Sequence, residues 1–202
     1  MERNYFKEAP VTMVLITVNV AIFVLMMVFP PVKSELVLYV PQLAQGSFWM
    51  PVTSMFAHTG VMHLAMNMFS LFFLGTAIEP LFGRCKFAIL YFASGLMGSF
   101  FSIAYDVAVS GGMVYLGASG AIFGLFAAYG VLLVSMYARA KKMPTVAASS
   151  LSSLKSGLIN FGVLLAVNIA FSMTPGIGWQ AHLGGFIGGA IVTGIMMAMK
   201  KV

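Results

Sequence analysis

One serine, two histidines and an asparagine stand where acyl-transfer chemistry needs them. Ser119 lies in Gly117-Ala-Ser119-Gly120, His182 in Ala181-His182-Leu-Gly-Gly185, and His63 precedes Asn67 by four residues. A serine hydroxyl is a poor nucleophile until a base takes its proton. His182 is the candidate base, as a neutral imidazole working near pH 7. Acyl transfer also needs donors for the tetrahedral oxyanion, and losing one typically costs about 3–4 kcal/mol of barrier. His63 and Asn67 can supply side-chain N–H groups. The backbone N–H of Ser119 lies near a helix N-terminus, where donors are free and the dipole is positive. A carboxylate normally orients the base. Of the five acids, Glu2, Glu8 and Glu79 belong to the inner side, and Glu35 and Asp106 have no evident route to His182. The reading is a Ser119–His182 dyad oriented by packing, without a metal.

The elements that hold these residues follow from composition. Sixty per cent of the 202 residues are hydrophobic and 8% are charged, against roughly 25% charged in soluble domains. So few charges cannot cover a water-exposed surface, so the main solvent is lipid. A membrane helix needs about 20 mostly apolar residues. Six spans are expected, at about 11–30, 57–78, 87–109, 116–136, 157–173 and 180–199. They make the chain an all-α polytopic membrane protein with one transmembrane domain over residues 1–202. The first apolar run lacks an Ala-x-Ala-like exit and ends at Pro30-Pro31, so it reads as a retained span rather than a signal peptide.

Ten of the eleven Lys and Arg residues collect on one side of this arrangement: Arg3, Lys7, Arg84, Lys86, Arg139, Lys141, Lys142, Lys155, Lys200 and Lys201. Only Lys33 falls on the other. By the positive-inside rule both termini are cytoplasmic. The net charge of +6 therefore sets topology. No basic stripe with interleaved aromatics is present, which argues against nucleic-acid binding. Cys85 is the single cysteine and reads as a buried or indifferent thiol.

Even-numbered spans run from outside to inside, and His63, Ser119 and His182 all fall near their starts. At 1.5 Å rise per residue each is expected about 5–10 Å below its helix mouth, on the outer half of the bilayer. His63 and Asn67 share a helix face. Gly185 and Gly189 share a face with His182, and Gly120 and Gly124 repeat the spacing, so the fourth and sixth spans can approach closely. Phe123 could pack beside His182 or be plain core, and core is the favoured reading; His58 reads as a structural residue near the surface, and Glu79 with Pro80 as a pin at the inner end of the second span. The connection at about 31–56 is the longest, and Trp49 could anchor it at the membrane surface. The Ser-, Ala- and Lys-rich stretch at about 137–156 reads as a mobile cytoplasmic linker. The last outer loop, Ser172-Met-Thr-Pro-Gly-Ile-Gly178, has glycines and a proline that allow movement.

These residues together resemble the rhomboid intramembrane serine proteases. His58-Thr-Gly-Val-Met-His63-Leu-Ala-Met-Asn67 is similar to the family's histidine–asparagine motif, and Gly117-Ala-Ser119-Gly120 to its Gly-x-Ser-Gly motif. Ala181-His182-Leu-Gly-Gly185-Phe-Ile-Gly-Gly189 resembles its last-helix motif, and Gly75-Thr-Ala-Ile-Glu79-Pro-Leu-Phe-Gly83 another signature. The resemblance covers about 11–199, in order, and implies the minimal six-span bacterial type. It implies Ser119 as nucleophile, His182 as general base, and His63, Asn67 and the Ser119 backbone as oxyanion donors. Gly117, Gly120, Gly185, Gly189 and Glu79 would be structural supports. Substrates would be single-span membrane proteins cut in or near the membrane, with the fifth helix and last outer loop as gates and no cofactor. The first outer loop would lie partly in the membrane. Many members carry Trp-Arg there; this chain has Trp49-Met50. The expected location is the plasma membrane, with the site open to the extracytoplasmic side.

Two other readings compete. One is a catalytically silent rhomboid-like protein that binds membrane clients, against which stand the serine and histidine both being present. The other is a small transporter or metal carrier using the three histidines. No internal repeat supports a transporter, and no carboxylates join the histidine layer to hold a metal. The sequence does not specify oligomeric state.

Overall fold

Six helices long and apolar enough to cross a membrane organise the chain: α1 (Pro10–Val28), α2 (Val61–Phe82), α3 (Arg84–Val109), α4 (Ser119–Lys142), α5 (Ala148–Ser172) and α6 (Trp179–Met199). The structure, a computed structural model, describes residues 4–143, 145–174 and 177–199. Glu2, Arg3, Lys200, Lys201 and Pro175-Gly176 of the connection between α5 and α6, on which parts of the topology and loop readings fall, lie outside the described residues.

The central layer is α3, α4 and α6, and glycine is what lets them meet. A Cβ on Gly185 would run into the carbonyl oxygen of Gly120, and one on Gly189 into that of Gly124. These obstacles are backbone atoms, which no rotamer change can move aside. The small residues thus set a closer helix spacing than Leu or Val would permit. A third small-residue strip, absent from the sequence reading, lies on α3: a Cβ on Gly98 would come 2.7 Å from the Ala181 carbonyl oxygen. Accordingly 56% of the most apolar stretch of α4 is buried, and none of that of α5. The fifth helix rests on the edge of the bundle, touching it through Phe161 against Phe126 and Tyr129.

Glu79 ties α2 to α1. The first N–H groups of a helix have no intrahelical partner. Pro10 at the start of α1 lacks one, and the next two, on Val11 and Thr12, donate to the Glu79 carboxylate at 3.0 and 2.8 Å. The Thr12 hydroxyl adds a third bond of 2.8 Å. The charge sits at the positive end of the α1 dipole. Gly75, one turn away, leaves room for Thr12, whose Oγ1 would lie 2.5 Å from a Cβ there.

Three boundaries differ from those expected. The second span runs Val61–Phe82 rather than 57–78. Ala57–Gly60 is non-helical, and the helix carries Pro80 in its last turn, where one lost ladder bond is tolerated. The stretch at 137–156 is largely helix, not linker: α4 continues to Lys142 and α5 begins at Ala148. The fifth span is therefore 25 residues and not short. Hydropathy marks the hydrocarbon thickness, whereas Ala, Arg, Lys and Leu keep a helix going beyond it. Arg139, Lys141 and Lys142 also complement the dipole in the last turn of α4. Cys85 is exposed.

The long connection between α1 and α2 is an ordered subdomain of three short helices, Val32–Leu36, Val40–Ala44 and Met50–Thr53, with a 3-10 turn at Ser54–Phe56. Its strand β1 (Leu38–Tyr39) pairs antiparallel with β2 (Val114–Tyr115), placing Leu38 opposite Tyr115. Met50 is 1% exposed and clusters with Leu38 and Tyr115. Trp49 stays half exposed while its indole N–H donates to the Glu35 carbonyl at 3.0 Å. The connection is thus fastened to the strand that leads into Ser119.

Candidate active site

Ser119 is the first residue of α4, so its own N–H has no intrahelical carbonyl to bond. The approach to it is fixed on both sides. Gly117 has φ +124°, a conformation glycine adopts without penalty, and its N–H donates to the Ser54 carbonyl at 2.8 Å. A Cβ at Gly117 would lie 2.9 and 3.0 Å from Cε1 and Nε2 of His63. The missing side chain therefore lets the His63 ring come against the loop. Upstream, Asp106 accepts from the Met113 N–H at 2.8 Å and the Tyr115 hydroxyl at 3.3 Å. Burial, then the Asp106 charge, push the Tyr115 phenol up to about 12, so it remains a donor at ordinary pH.

His182 stands three residues into α6, and its Nε2 is 2.8 Å from Ser119 Oγ. Phe123, one turn below Ser119, takes the less favoured of its two readings and packs beside His182. Its ring lies face to face with the imidazole at 4.3 Å and 5°. A third polar group, which the sequence reading missed, meets the other side of the ring: Ser172 Oγ is 2.6 Å from His182 Nδ1. The expectation of orientation by packing alone is corrected, because packing by Phe123 is joined by this hydrogen bond. The only sequence signal for Ser172 was a lone polar residue at the end of an apolar span, ten positions before His182.

Depth is also corrected. His63 is two residues past the start of α2, Ser119 begins α4, and His182 is three past the start of α6. They lie within about one helical turn (~5 Å) of the helix mouths, not 5–10 Å below them. The chain enters α2 and α4 through the non-helical segments Ala57–Gly60 and 116–118.

Nδ1 of His63 faces the Thr59 N–H at 3.4 Å and the Thr59 hydroxyl at 3.1 Å; accepting from both, it would leave the ring proton to Nε2. Asn67 donates one amide N–H to the His63 carbonyl at 2.8 Å, which leaves its second amide N–H uncommitted. His63, Asn67, Ser119 and His182 all line one cavity of about 320 Å³. Ser99 and Ser102 add hydroxyls to its wall, and Met62, Met66 and Met113 an apolar rim. His58 is not near the surface: it is 2% exposed and meets His63 edge to face, centroids 5.0 Å apart. Among the described residues, no three His, Cys, Asp or Glu side chains gather in a group able to hold a metal.

Six helices long and apolar enough to cross a membrane, with a part-buried serine–histidine pair among them, define a multi-pass membrane protein. The sequence matches the Rhomboid domain over residues 45–199, and the chain belongs to the rhomboid family. It is 33% identical over 148 residues to Rhomboid protease GluP of Bacillus subtilis (strain 168), covering 73% of this chain and 26% of that protein. It is 31% identical to the putative rhomboid protease YdcA of the same organism, covering 79% and 72%. Rhomboid protease AarA of Providencia stuartii is 29% identical, with 90% and 70% covered. The chain spans between about a quarter and a half of the length of several curated relatives, among them RHOMBOID-like protein 6, mitochondrial, of Arabidopsis thaliana at 45%.

Proposed function

We propose that this chain is an intramembrane serine endopeptidase that cuts single-span membrane proteins with a Ser119–His182 dyad. The observation that carries the reading is the 2.8 Å contact between Ser119 Oγ and His182 Nε2 inside a multi-pass membrane protein. As the peptide carbonyl is attacked, the Ser119 proton passes to His182 Nε2 and an acyl-enzyme forms through a tetrahedral intermediate. His182 then returns the proton to the leaving amine. The same base activates the water that releases the acyl group.

The oxyanion is met by the free N–H of Ser119, by Nε2–H of His63 and by the second amide N–H of Asn67, each in the wall of the cavity. Preorganised donors in a low-dielectric site act strongly because they need not reorient during reaction. The wall hydroxyls of Ser99 and Ser102 give the hydrolytic water partners within an otherwise apolar bundle. Gly117, Gly120, Gly185, Gly189 and Glu79 support the site by holding the helices in place.

One transmembrane domain, both termini cytoplasmic, a plasma-membrane location and an extracytoplasmic mouth complete the reading. Its support is the segregation of Lys and Arg between loops. The test is cleavage of a single-span substrate co-reconstituted in liposomes, with the cut bond located by mass spectrometry. Wild type should cut within or beside the span, and Ser119→Ala should not. Cutting by Ser119→Ala at the wild-type rate would overturn the proposal.

A further inference from the structure

The hydroxyl of Ser172 stands between two partners. It donates to the Asn168 carbonyl one turn back at 2.8 Å, and it lies 2.6 Å from Nδ1 of His182. A serine has a single hydroxyl proton. With that proton committed to the helix carbonyl, the oxygen faces His182 as an acceptor, and Nδ1 must be the protonated nitrogen. Nε2 then carries the lone pair and accepts from Ser119 O–H at 2.8 Å. The three bonds run in one direction: Ser119 O–H to Nε2, Nδ1–H to Ser172 Oγ, Ser172 O–H to the carbonyl of Asn168. Ser172 is 4% exposed and His182 8%, so water does not readily replace either bond.

We infer that Ser172 is a positioning residue that holds His182 in the tautomer a general base requires. It occupies the place where a carboxylate stands in a triad, but as a neutral acceptor whose polarity is set by its own helix. The inference rests on the dyad reading above and adds to it a dependence on α5. Ser172 is the last residue of that helix, whose apolar stretch has nothing buried. Displacing the outer end of α5 therefore removes the acceptor at Nδ1, and the base is complete only while α5 is seated.

The experiment pairs kinetics with the imidazole spectrum. In protein labelled with 15N-histidine there are three imidazoles to assign, and the His182 signals are those missing from His182→Gln. Wild type should show His182 protonated at Nδ1, and Ser172→Ala a mixture of tautomers. For Ser172→Ala, kcat should fall about tenfold with KM unchanged, the scale of one neutral hydrogen bond, and Ser172→Thr should restore it. A wild-type His182 protonated at Nε2, or a Ser172→Ala variant with wild-type kcat and spectrum, overturns the inference. In either case inactivity of His182→Ala leaves the dyad reading standing, whereas an active His182→Ala removes that reading itself. If Ser172→Ala does not fold, the wild-type spectrum and Ser172→Thr still decide.

Discussion

The carbonyl oxygen of Gly120 occupies the space where a Cβ on Gly185 would stand, so α4 and α6 meet backbone to backbone one residue past Ser119. The distance between the proposed nucleophile and base is thereby set by main-chain contact, not by side chains that could repack. The same relation one turn further, Gly124 with Gly189, keeps the two helices from pivoting.

Gly185→Ala should therefore damage stability and activity together. Forcing a methyl into a filled site typically costs about 1–3 kcal/mol, and here it also drives Ser119 from His182. Thermal unfolding in detergent and turnover of a membrane substrate check both effects. Gly194→Ala, on the same helix with nothing within 4 Å of the added carbon, is the control and should change neither. Equal behaviour of the two variants would contradict the packing account.

Phe123→Ala should lower kcat about three- to tenfold and also lower the melting temperature, since the ring is buried and truncating a buried Phe costs about 3–5 kcal/mol. Ring pairs of this kind contribute about 0.5–1.5 kcal/mol, here spent on holding the imidazole plane. Phe123→Tyr keeps the 4.3 Å stack and should retain activity. Steady-state kinetics on the two variants separates ring orientation from mere filling of space.

Asn67→Ala should retain weak activity, because the Ser119 N–H and His63 Nε2–H remain. The loss of one donor is expected to reduce kcat by about 10²–10³. Labelling of Ser119 by a small activated phosphonate should persist. A fully active Asn67→Ala would remove Asn67 from the oxyanion site.

Glu79→Gln should affect stability rather than chemistry. Three donors, from Val11, Thr12 N–H and the Thr12 hydroxyl, converge on the carboxylate, and an amide turns one of its ends from acceptor to donor. A loss of about 1–3 kcal/mol is expected, with turnover per folded molecule unaltered. Melting curves beside active-site titration test this. A rate defect without a shift in melting would contradict it.

Much of this arrangement was legible in the sequence because lipid simplifies the code. Apolar runs give the spans, and the few polar residues within them, costly unless useful, point to Ser119, His63, Asn67 and His182. Glycine spacing on α4 and α6 gave the helix pair. What escaped was what depends on distance across the bundle. Ser172 looks like an ordinary end-of-span residue, and Phe123 cannot be told from core, until His182 is placed between them. The strip on α3 was hidden because Gly95 and Gly98 do not fall at the spacing sought. Hydropathy could not show that α4 and α5 continue beyond the apolar runs, nor that Ala57–Gly60 reaches the site unwound.

The most direct test of the central claim is reaction of the purified protein, in detergent, with a fluorophosphonate probe, wild type beside Ser119→Ala and His182→Ala. The account predicts labelling of wild type at Ser119 and of neither variant, since Ser119→Ala lacks the hydroxyl and His182→Ala removes the base that stands 2.8 Å from it. A folded wild type that stays unlabelled, or a His182→Ala variant labelled as fast as wild type, would contradict it.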